Sequence, residues 1–480
     1  MIYENEIRYV LCLLKCAVSD EIPPNPPENL DWEVIFKIGK SHKIYSTLFF
    51  GLQKLSPSLY SSIPHFEDYA TEYRKNLVLD TNRSFEIDII KKELKNNDID
   101  FVLLKGTVIK YLYPDTAMRV MSDVDILYRS QIQKINRQNE LLISLMENIG
   151  YKVWSREPLE ISFYKPLAAI SRNMRIEMQT ELIDKGYEVW SDYLKNIWDK
   201  LIKKSDHEYV MRDEDFYIYH IIHMAKHFIN GGIGIVHVLD IWIMINAYRS
   251  VDKDYIAGEL KSIGLLDFEK NARALCKSWF SNDYVIPDDY TRKTLKLMET
   301  FVISNGAYGT SAQAEANRVV EDNGKKVSLM AKIFPKKNIM INYYGDILKK
   351  HPSLLPFYYI RLNLKRVFLA PKSSSKRLKA MNSVTDRQIS KTRELMKRCG
   401  ERMELTLDNP REAIPVLDAM GFANYQVVDK EHIHIFERLN ESALVNMELA
   451  KAGIPVKGIS ITSEELETYF LNLTGGAANA

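Results

Sequence analysis

Two acidic residues separated by one apolar residue carry the clearest chemical signal in the chain. Asp123 and Asp125 lie within residues 122–128, where polar and apolar residues alternate as in a β-strand. Residues i and i+2 of a strand face the same side, so both carboxylates can bind one divalent cation. Mg²⁺ or Mn²⁺ prefers oxygen ligands and is usually held by one or two carboxylates together with substrate phosphates. The pair therefore predicts metal-assisted transfer of a phosphorus group, such as a nucleotidyl group from an NTP.

A glycine turn upstream supplies a second part of such a site. Gly106 and Thr107 follow a predicted strand at residues 100–104, and a strand-to-helix turn there offers N–H groups and a hydroxyl to a triphosphate. Lys105 and Arg119 are expected to contact other phosphate oxygens, Arg119 in bidentate fashion. An isolated Asp-X-Asp pair is weak evidence for a metal site, and the turn and the arginine strengthen it.

Three histidines on one predicted helical face are further candidates. His220, His223 and His227 are spaced at i, i+3 and i+7, and Lys226 lies beside them. The chain has no His-Glu-X-X-His motif, so contacts with base, ribose or phosphate, or plain packing, are favoured over metal ligation. Lys226 is expected to reach a phosphate.

Mostly helical segments must position these residues. Apolar spacing predicts an α/β unit between two helical regions, with Gly231-Gly232 as a stop signal in the second. The predicted helices are 2–18, 32–52, 69–96, 131–149 and 213–261, and the predicted strands are 100–104, 122–128, 151–154, 160–164 and 174–182.

The last 80 residues differ from the rest in charge and pattern. Residues 401–480 contain 6 basic and 13 acidic residues, whereas 1–400 contain 59 and 50, and 335–400 alone contain 16 and 3. The shift predicts a module boundary near residue 400. The tail has the order β-α-β-β-α-β with a closing helix at 463–473, which predicts a ferredoxin-like sandwich.

Composition narrows the class of protein. The chain has 480 residues, of which 46% are hydrophobic and 27% charged, typical of a globular protein with several domains. We find no apolar run of the ~20 residues that a spanning helix needs and no secretory signal at the N-terminus, so a cytoplasmic location is expected. Four scattered cysteines exclude a disulfide framework.

These motifs resemble a known superfamily. Leu-Lys-Gly-Thr at 104–107, Tyr113-Pro114, Arg119 and Ser-Asp-Val-Asp-Ile-Leu at 122–127 are similar to the signature of polymerase-β-like nucleotidyltransferases. More narrowly, they resemble a poorly characterised bacterial nucleotidyltransferase family over about residues 5–400. Two departures are a longer spacing, with 15 residues between Thr107 and Asp123, and Thr in place of the second Gly or Ser.

The resemblance implies an α+β fold with a polymerase-β-like core inserted among helices. It assigns residues 1–98 to an N-terminal helical region, 99–205 to the nucleotidyltransferase core and 206–400 to a helical region with a basic end. It also implies a third carboxylate, for which Glu177 is the candidate, either as a metal ligand or to help deprotonate the attacking hydroxyl. An exposed glutamate on an edge strand is an equally weighted alternative. The family often has His where this chain has Gln179.

The tail has a resemblance of its own. Residues 446–456 and 465–476 look like the small domain that follows the ATPase cassette in some bacterial ABC transporters. No Walker A motif precedes them, so the resemblance implies a docking or regulatory module for a transporter subunit. An artificial or accidental fusion near residue 400 is the alternative explanation.

Three functions remain open from the sequence. The leading one is a Mg²⁺-dependent nucleotidyltransferase that moves a nucleoside monophosphate to a hydroxyl of a protein, an RNA or a small molecule. The second is a non-catalytic nucleotide-sensing adaptor that docks to an ABC transporter through 401–480, and the third is a kinase. The basic stretch 335–400 suits RNA, a membrane surface or another anionic partner, or is a solvated helical face.

Overall fold

The fold is taken from a computed structural model of the full chain. Besides eight single positions between 310 and 395, the structure describes residues 3–130, 135–157, 159–167, 172–183, 187–307, 354–364, 388–392, 401–422, 425–435 and 438–463. Most of the basic stretch 335–400 and the predicted closing helix beyond residue 463 lie outside these residues.

The N-terminal region is helical, as predicted. Its helices are α1 (Glu4–Ala17), α2 (Trp32–Ser41), α3 (Tyr45–Gln53), α4 (Pro57–Tyr60) and α5 (Phe66–Asn96). The single helix predicted over 32–52 is wrong, because Lys43 adopts a left-handed conformation with φ +59° that ends one helix before the next begins. Apolar periodicity continues across this break and hides it.

A mixed seven-stranded sheet follows, and it gives the chain an α+β fold. Its strands are β1 (Ile99–Leu103), β2 (Val124–Ser130), β3 (Lys152–Arg156), β4 (Glu160–Leu167), β5 (Arg172–Gln179), β6 (Ile202–Ser205) and β7 (Glu208–Val210), with α6 (Gly106–Ile109) and α7 (Ile135–Asn148) between them. The order is β3-β4-β5-β2-β1-β7-β6. β2 is parallel to β5 and antiparallel to β1. The hairpin β6–β7 was not predicted.

The two faces of this sheet have different surroundings. Val124, Ile126 and Ile176 pack in an apolar cluster with side chains of α5 and α7. Side chains alternate along a strand, so Asp125 and Glu177 point to the opposite face. That face meets the main apolar cluster, in which the N-terminal helices pack with the helices that follow the sheet.

The helices after the sheet complete the main body. They are α9 (Asp213–Ile229), α10 (Ile235–Ala247), α11 (Lys253–Ser262), α12 (Leu266–Phe280), α13 (Asp289–Asn305) and α14 (Leu355–Leu364), whereas α8 (Glu188–Leu194) lies between β5 and β6. The predicted break at Gly231-Gly232 is confirmed, since both glycines have positive φ between α9 and α10. A second break, between α10 and α11, was not predicted. Over the described residues, no helix is long and apolar enough to cross a membrane.

The described tail has its own small sheet and apolar cluster. It contains β8 (Glu401–Leu407), α15 (Pro410–Ala419), β9 (Tyr425–Val427), β10 (His432–Ile435), α16 (Ser442–Lys451) and β11 (Val456–Ser463). The strands pair antiparallel in the order β11-β8-β10-β9. Met403, Leu405 and Ile433 form the centre of a cluster that is separate from those of the main body.

Candidate active site

The register of β2 on β5 brings two of the predicted carboxylates together. Asp125 is the direct partner of Glu177 across this parallel pair, so both side chains leave the same face of the sheet as neighbours. Asp123 directly precedes β2, two residues before Asp125. β5 lies between β4 and β2, so Glu177 is on an interior strand and the edge-strand alternative is wrong.

These carboxylates line a cavity of about 280 Å³. Each predicted site residue except Thr107 contributes to its wall, and the wall combines acidic, basic and imidazole side chains. The polar members are Asp123, Asp125, Glu160, Glu177, Lys43, Lys105, Arg119, Lys226, His220, His223, His227, His237 and Ser122, together with Gly106 at the turn. Opposite charges therefore share one small space, as binding of a cation and a polyanion requires.

Burial and neighbouring carboxylates raise the pKa of two acidic side chains, Asp123 and Glu177. Burial and the adjacent Asp125 raise the pKa of Asp123 above its ordinary value. Burial, reinforced by Asp123 and Asp125, raises the pKa of Glu177 to about 8. Carboxylates that lie this close together repel one another when they are ionised. A bound divalent cation relieves this repulsion.

Lys105 makes the closest contact in the cavity. Its Nζ donates to Asp125 Oδ1 at 2.6 Å. Burial by itself lowers the pKa of Lys105, but Asp125, Tyr219 and Asp123 together outweigh it, and the pKa lies above its ordinary value. The Lys105 backbone has φ +52° and ψ −132°, a region that residues other than glycine rarely adopt and that persists where the surrounding structure enforces it.

The glycine turn is tightly packed. A Cβ at Gly106 would lie 2.9 Å from Sδ of Met121, so a larger residue would displace Met121 from the cavity wall. The structure does not bring the Thr107 side chain to this cavity. Thr107 is 2% exposed, its hydroxyl has no hydrogen-bond partner, and it lines a second cavity behind the turn.

Arg119 is engaged with a buried carboxylate. Its Nε and Nη2 donate to Asp240 at 2.8 Å each, and its Nη1 donates to the carbonyl of Val120 at 2.6 Å. Tyr113 donates to the same Asp240 at 2.7 Å. The predicted bidentate geometry exists, but its partner is a protein carboxylate on α10.

The histidines form a neutral wall opposite the sheet. His223 Nε2 and His227 Nε2 are 3.2 Å apart, and the ring centroids of His227 and His237 are 5.7 Å apart. Burial and the nearby Lys105 lower the pKa of His227 to about 4. Burial also holds the pKa of His223 and His237 well below the ordinary value. Neutral imidazoles can both donate and accept hydrogen bonds.

Sequence reasoning missed three polar residues of the cavity. Lys43 belongs to the unpredicted break between α2 and α3, and no local signal marks it. Glu160 begins β4, and alternation along the predicted strand 160–164 could have placed it on the Glu177 face, because Ser162 pairs with Glu177. His237 lies on α10 next to His227, a proximity that depends on tertiary packing.

The donor set suits a cation that is shared with a substrate. Among the described residues, no three His, Cys, Asp or Glu side chains are close enough to hold a metal ion by themselves. Mg²⁺ commonly uses only one or two carboxylates and completes its shell with waters and substrate phosphates. Asp123 and Asp125 fit that pattern.

The cavity combines carboxylates on adjacent strands with a glycine turn and four basic side chains, a set that suits metal-assisted transfer of a phosphorus group. Residues 28–281, more than half of the chain, match the family described as uncharacterised nucleotidyltransferase, and the chain belongs to this family. It is therefore a nucleotidyltransferase, a transferase enzyme. No curated protein and no solved structure matches it.

Proposed function

We propose that the enzyme moves a nucleoside monophosphate from an NTP to a hydroxyl acceptor, with Mg²⁺ or Mn²⁺ held by Asp123 and Asp125. The observation that supports this most strongly is the pairing of Asp125 with Glu177 inside a cavity rich in basic side chains. A divalent cation bound there would neutralise charge that develops on the α-phosphate and the pyrophosphate.

The remaining side chains of the cavity are suited to contacts with either the nucleotide or the acceptor. Lys43 and Lys226 add positive charge to the cavity and are suited to the polyphosphate. His223 and His227, kept neutral by burial, are suited to hydrogen bonds with base or ribose. Glu177 is positioned beside Asp125 either to join the metal ligands or to accept the proton of the attacking hydroxyl.

We infer a role for Arg119 other than the phosphate contact predicted from the sequence. Asp240 already occupies its Nε and Nη2, so we infer that Arg119 contributes charge to the cavity and holds α10 against the turn. The acceptor class stays open among proteins, RNA and small molecules.

We also infer a polymerase-β-like core and a ferredoxin-like tail. The core assignment is supported by the glycine turn after β1, the acidic pair at β2 and the third carboxylate on its parallel neighbour. The tail assignment is supported by its β-α-β-β-α-β order and by the strand order β11-β8-β10-β9. These features keep the transporter-docking adaptor as the second candidate function.

Incubation of the full chain with cell extract and NTPs labelled at the α- or γ-phosphate tests the enzyme. We expect α-label in an acceptor, with pyrophosphate release that falls about 100-fold or more in Asp123→Asn and Asp125→Asn, since each removes a metal ligand. Asp206→Asn is the matched control, because its side chain is 90% exposed.

The same assay separates the other two functions. Transfer of γ-label alone would make the protein a kinase. Nucleotide binding without any transfer, with a transporter subunit that co-purifies only when 401–480 is present, would support the adaptor.

A further inference from the structure

The ion pair between Lys105 and Asp125 lies where the proposed metal would contact its carboxylate. Nζ is 2.6 Å from Oδ1, and the two side chains are 23% and 6% exposed. A protein ammonium therefore already neutralises one carboxylate of the cavity. A cation that binds Asp125 through the same oxygen has to displace it.

The backbone of Lys105 is fixed on both sides. Its carbonyl accepts from the N–H groups of Val108 and Ile109 at 3.0 and 3.1 Å, and the preceding Leu104 N–H donates to the Asp125 carbonyl at 3.0 Å. The Cα of Lys105 therefore keeps its distance from β2. Any change in the partner of its ammonium has to come from rotation of the side chain.

The side chain is suited to such an exchange. An ammonium on a four-carbon stem is a point charge without a fixed bonding direction, so it can pass from one oxygen to another at little geometric cost. Lys105 also directly precedes Gly106, the turn that is suited to phosphates. A carboxylate and a phosphate are thus alternative partners for the same group.

We propose that Lys105 is an exchangeable counter-ion, which neutralises Asp125 in the absence of nucleotide and moves to an NTP phosphate oxygen when the divalent cation binds Asp125. The exchange deepens the proposed function and rests on it. Each anion keeps a cationic partner, because the arriving cation replaces the ammonium at Asp125 and the polyphosphate receives the ammonium.

One consequence is that cation and nucleotide bind cooperatively. A cation alone must break the ion pair and take from the ammonium its closest anion, whereas a cation with NTP supplies a new partner. The coupling is reciprocal, so the cation also tightens NTP binding.

Mn²⁺ binding to the full chain, measured by electron paramagnetic resonance, tests the exchange without relying on activity. In the absence of nucleotide, Lys105→Met is expected to bind Mn²⁺ at least about tenfold more tightly than the unmodified protein. Lys105→Arg keeps the positive charge and is expected to bind like the unmodified protein. Lys226→Met removes another positive charge from the same cavity. It therefore separates the general effect of losing a positive charge from the effect of losing the ion pair with Asp125.

Addition of a non-hydrolysable NTP analogue completes the experiment. It is expected to tighten Mn²⁺ binding to the unmodified protein at least about tenfold and to tighten binding to Lys105→Met much less. Lys105→Gln gives a second neutral variant, and thermal unfolding verifies that each variant is folded.

Two results would overturn different statements. Equal Mn²⁺ affinity of the unmodified protein and the neutral variants without nucleotide would refute the exchange and leave the metal site standing. No Mn²⁺ binding by any of them, with or without the analogue, would refute the proposed metal site itself.

Discussion

At the scale of single residues, burial and neighbouring charges shift the pKa of a side chain far from its ordinary value. A glutamate in water ionises near pH 4.3, whereas Glu177 beside Asp123 and Asp125 has its pKa raised to about 8. In the protein without a bound cation, Glu177 therefore retains a proton at neutral pH. The fold keeps these carboxylates close together for binding, although their proximity lowers the free energy of unfolding, as in many functional sites.

Glu177→Gln should stabilise the protein at pH 8, where the glutamate of the unmodified protein begins to ionise. A folded-state pKa above the unfolded value means that stability falls as pH rises from about 4.5 towards about 8. We expect a gain of about 1 kcal/mol in the free energy of unfolding at pH 8 without divalent cations, after allowance for solvent screening, and a loss of transfer activity. Urea unfolding at pH 5 and pH 8 checks this. An equal effect at both pH values would contradict the electrostatic cause.

Residue spacing was sufficient to find Asp123 and Asp125, and the resemblance to a nucleotidyltransferase family added Glu177. Asp123, Asp125 and Glu177 share a cavity because strand alternation and strand register are regular. The helical spacing of the histidines also placed them on its wall. Thr107 and Lys43 show the limit, since the direction of one side chain and the end of one helix depend on tertiary packing rather than on local pattern.

At the scale of elements, α10 is joined to the loop that leads into β2. Asp240 on α10 is 0% exposed and accepts from both Arg119 and Tyr113. A buried charge is tolerated when it is paired and hydrogen-bonded. The ion pair therefore keeps the histidine-bearing helices at a fixed distance from the acidic strand.

Asp240→Asn should weaken both the fold and the site. The substitution removes the carboxylate that pairs with the partly buried Arg119 guanidinium, which costs about 3 kcal/mol by analogy with other broken buried pairs. We expect a lower unfolding midpoint in urea and reduced NTP binding in the folded protein. Asp254→Asn, at an exposed position on α11, is the control. An unchanged midpoint for Asp240→Asn would show that the ion pair is not a structural link.

Most elements were predictable from periodicity, and the exceptions have physical reasons. The strand β6 exposes all four of its residues, so it lacks the alternation on which a strand prediction depends. The break at Lys43 lies between two stretches whose apolar spacing is in phase. The breaks at Gly231-Gly232 and Gly106 were found because glycine marks them locally.

At the scale of the whole molecule, His42 links three distant segments. Its Nδ1 accepts from the N–H of Ile235 at 3.1 Å, and its Nε2 donates to the carbonyl of Ile303 at 3.2 Å. The ring therefore joins the end of α2 to the start of α10 and to α13. The contact with Ile235 requires the neutral imidazole, because a protonated Nδ1 cannot accept a hydrogen bond, and burial lowers the pKa of His42 to about 4.

Stability should therefore decrease when the pH falls from about 6.5 to about 4. The folded-state pKa lies below the ordinary value, so the unfolded chain takes up the proton first, and His42 contributes up to about 3 kcal/mol of this loss. His42→Gln is expected to be less stable at pH 7 and to lose less stability between pH 7 and pH 4.5. Urea titrations at several pH values measure both effects.

The matched control is His351→Gln, at an exposed position, for which no change in slope is expected. Other buried histidines also contribute to the acid sensitivity, so the slope of His42→Gln decreases without vanishing. A slope identical to that of the unmodified protein would exclude His42 as a cause.

The separate regions of the chain could be predicted from the sequence better than the way in which those regions pack together. The charge change near residue 400 coincides with the start of the separate tail cluster. The regions 1–98 and 206–400, however, share one apolar cluster, which a local pattern cannot reveal because the contacting residues are far apart in the chain. The family match over 28–281 likewise spans both.

The hydrogen bond from Leu104 to the Asp125 carbonyl, next to the antiparallel pairing of β1 with β2, has a consequence for turnover. The turn and the acidic strand are parts of one ladder and cannot separate without breaking it. If product release requires the cavity to widen, the movement has to come from the opposite wall, where α9 carries His223 and Lys226. The speed of release would then depend on the motion of helices, while the sheet stays in place for the next cycle.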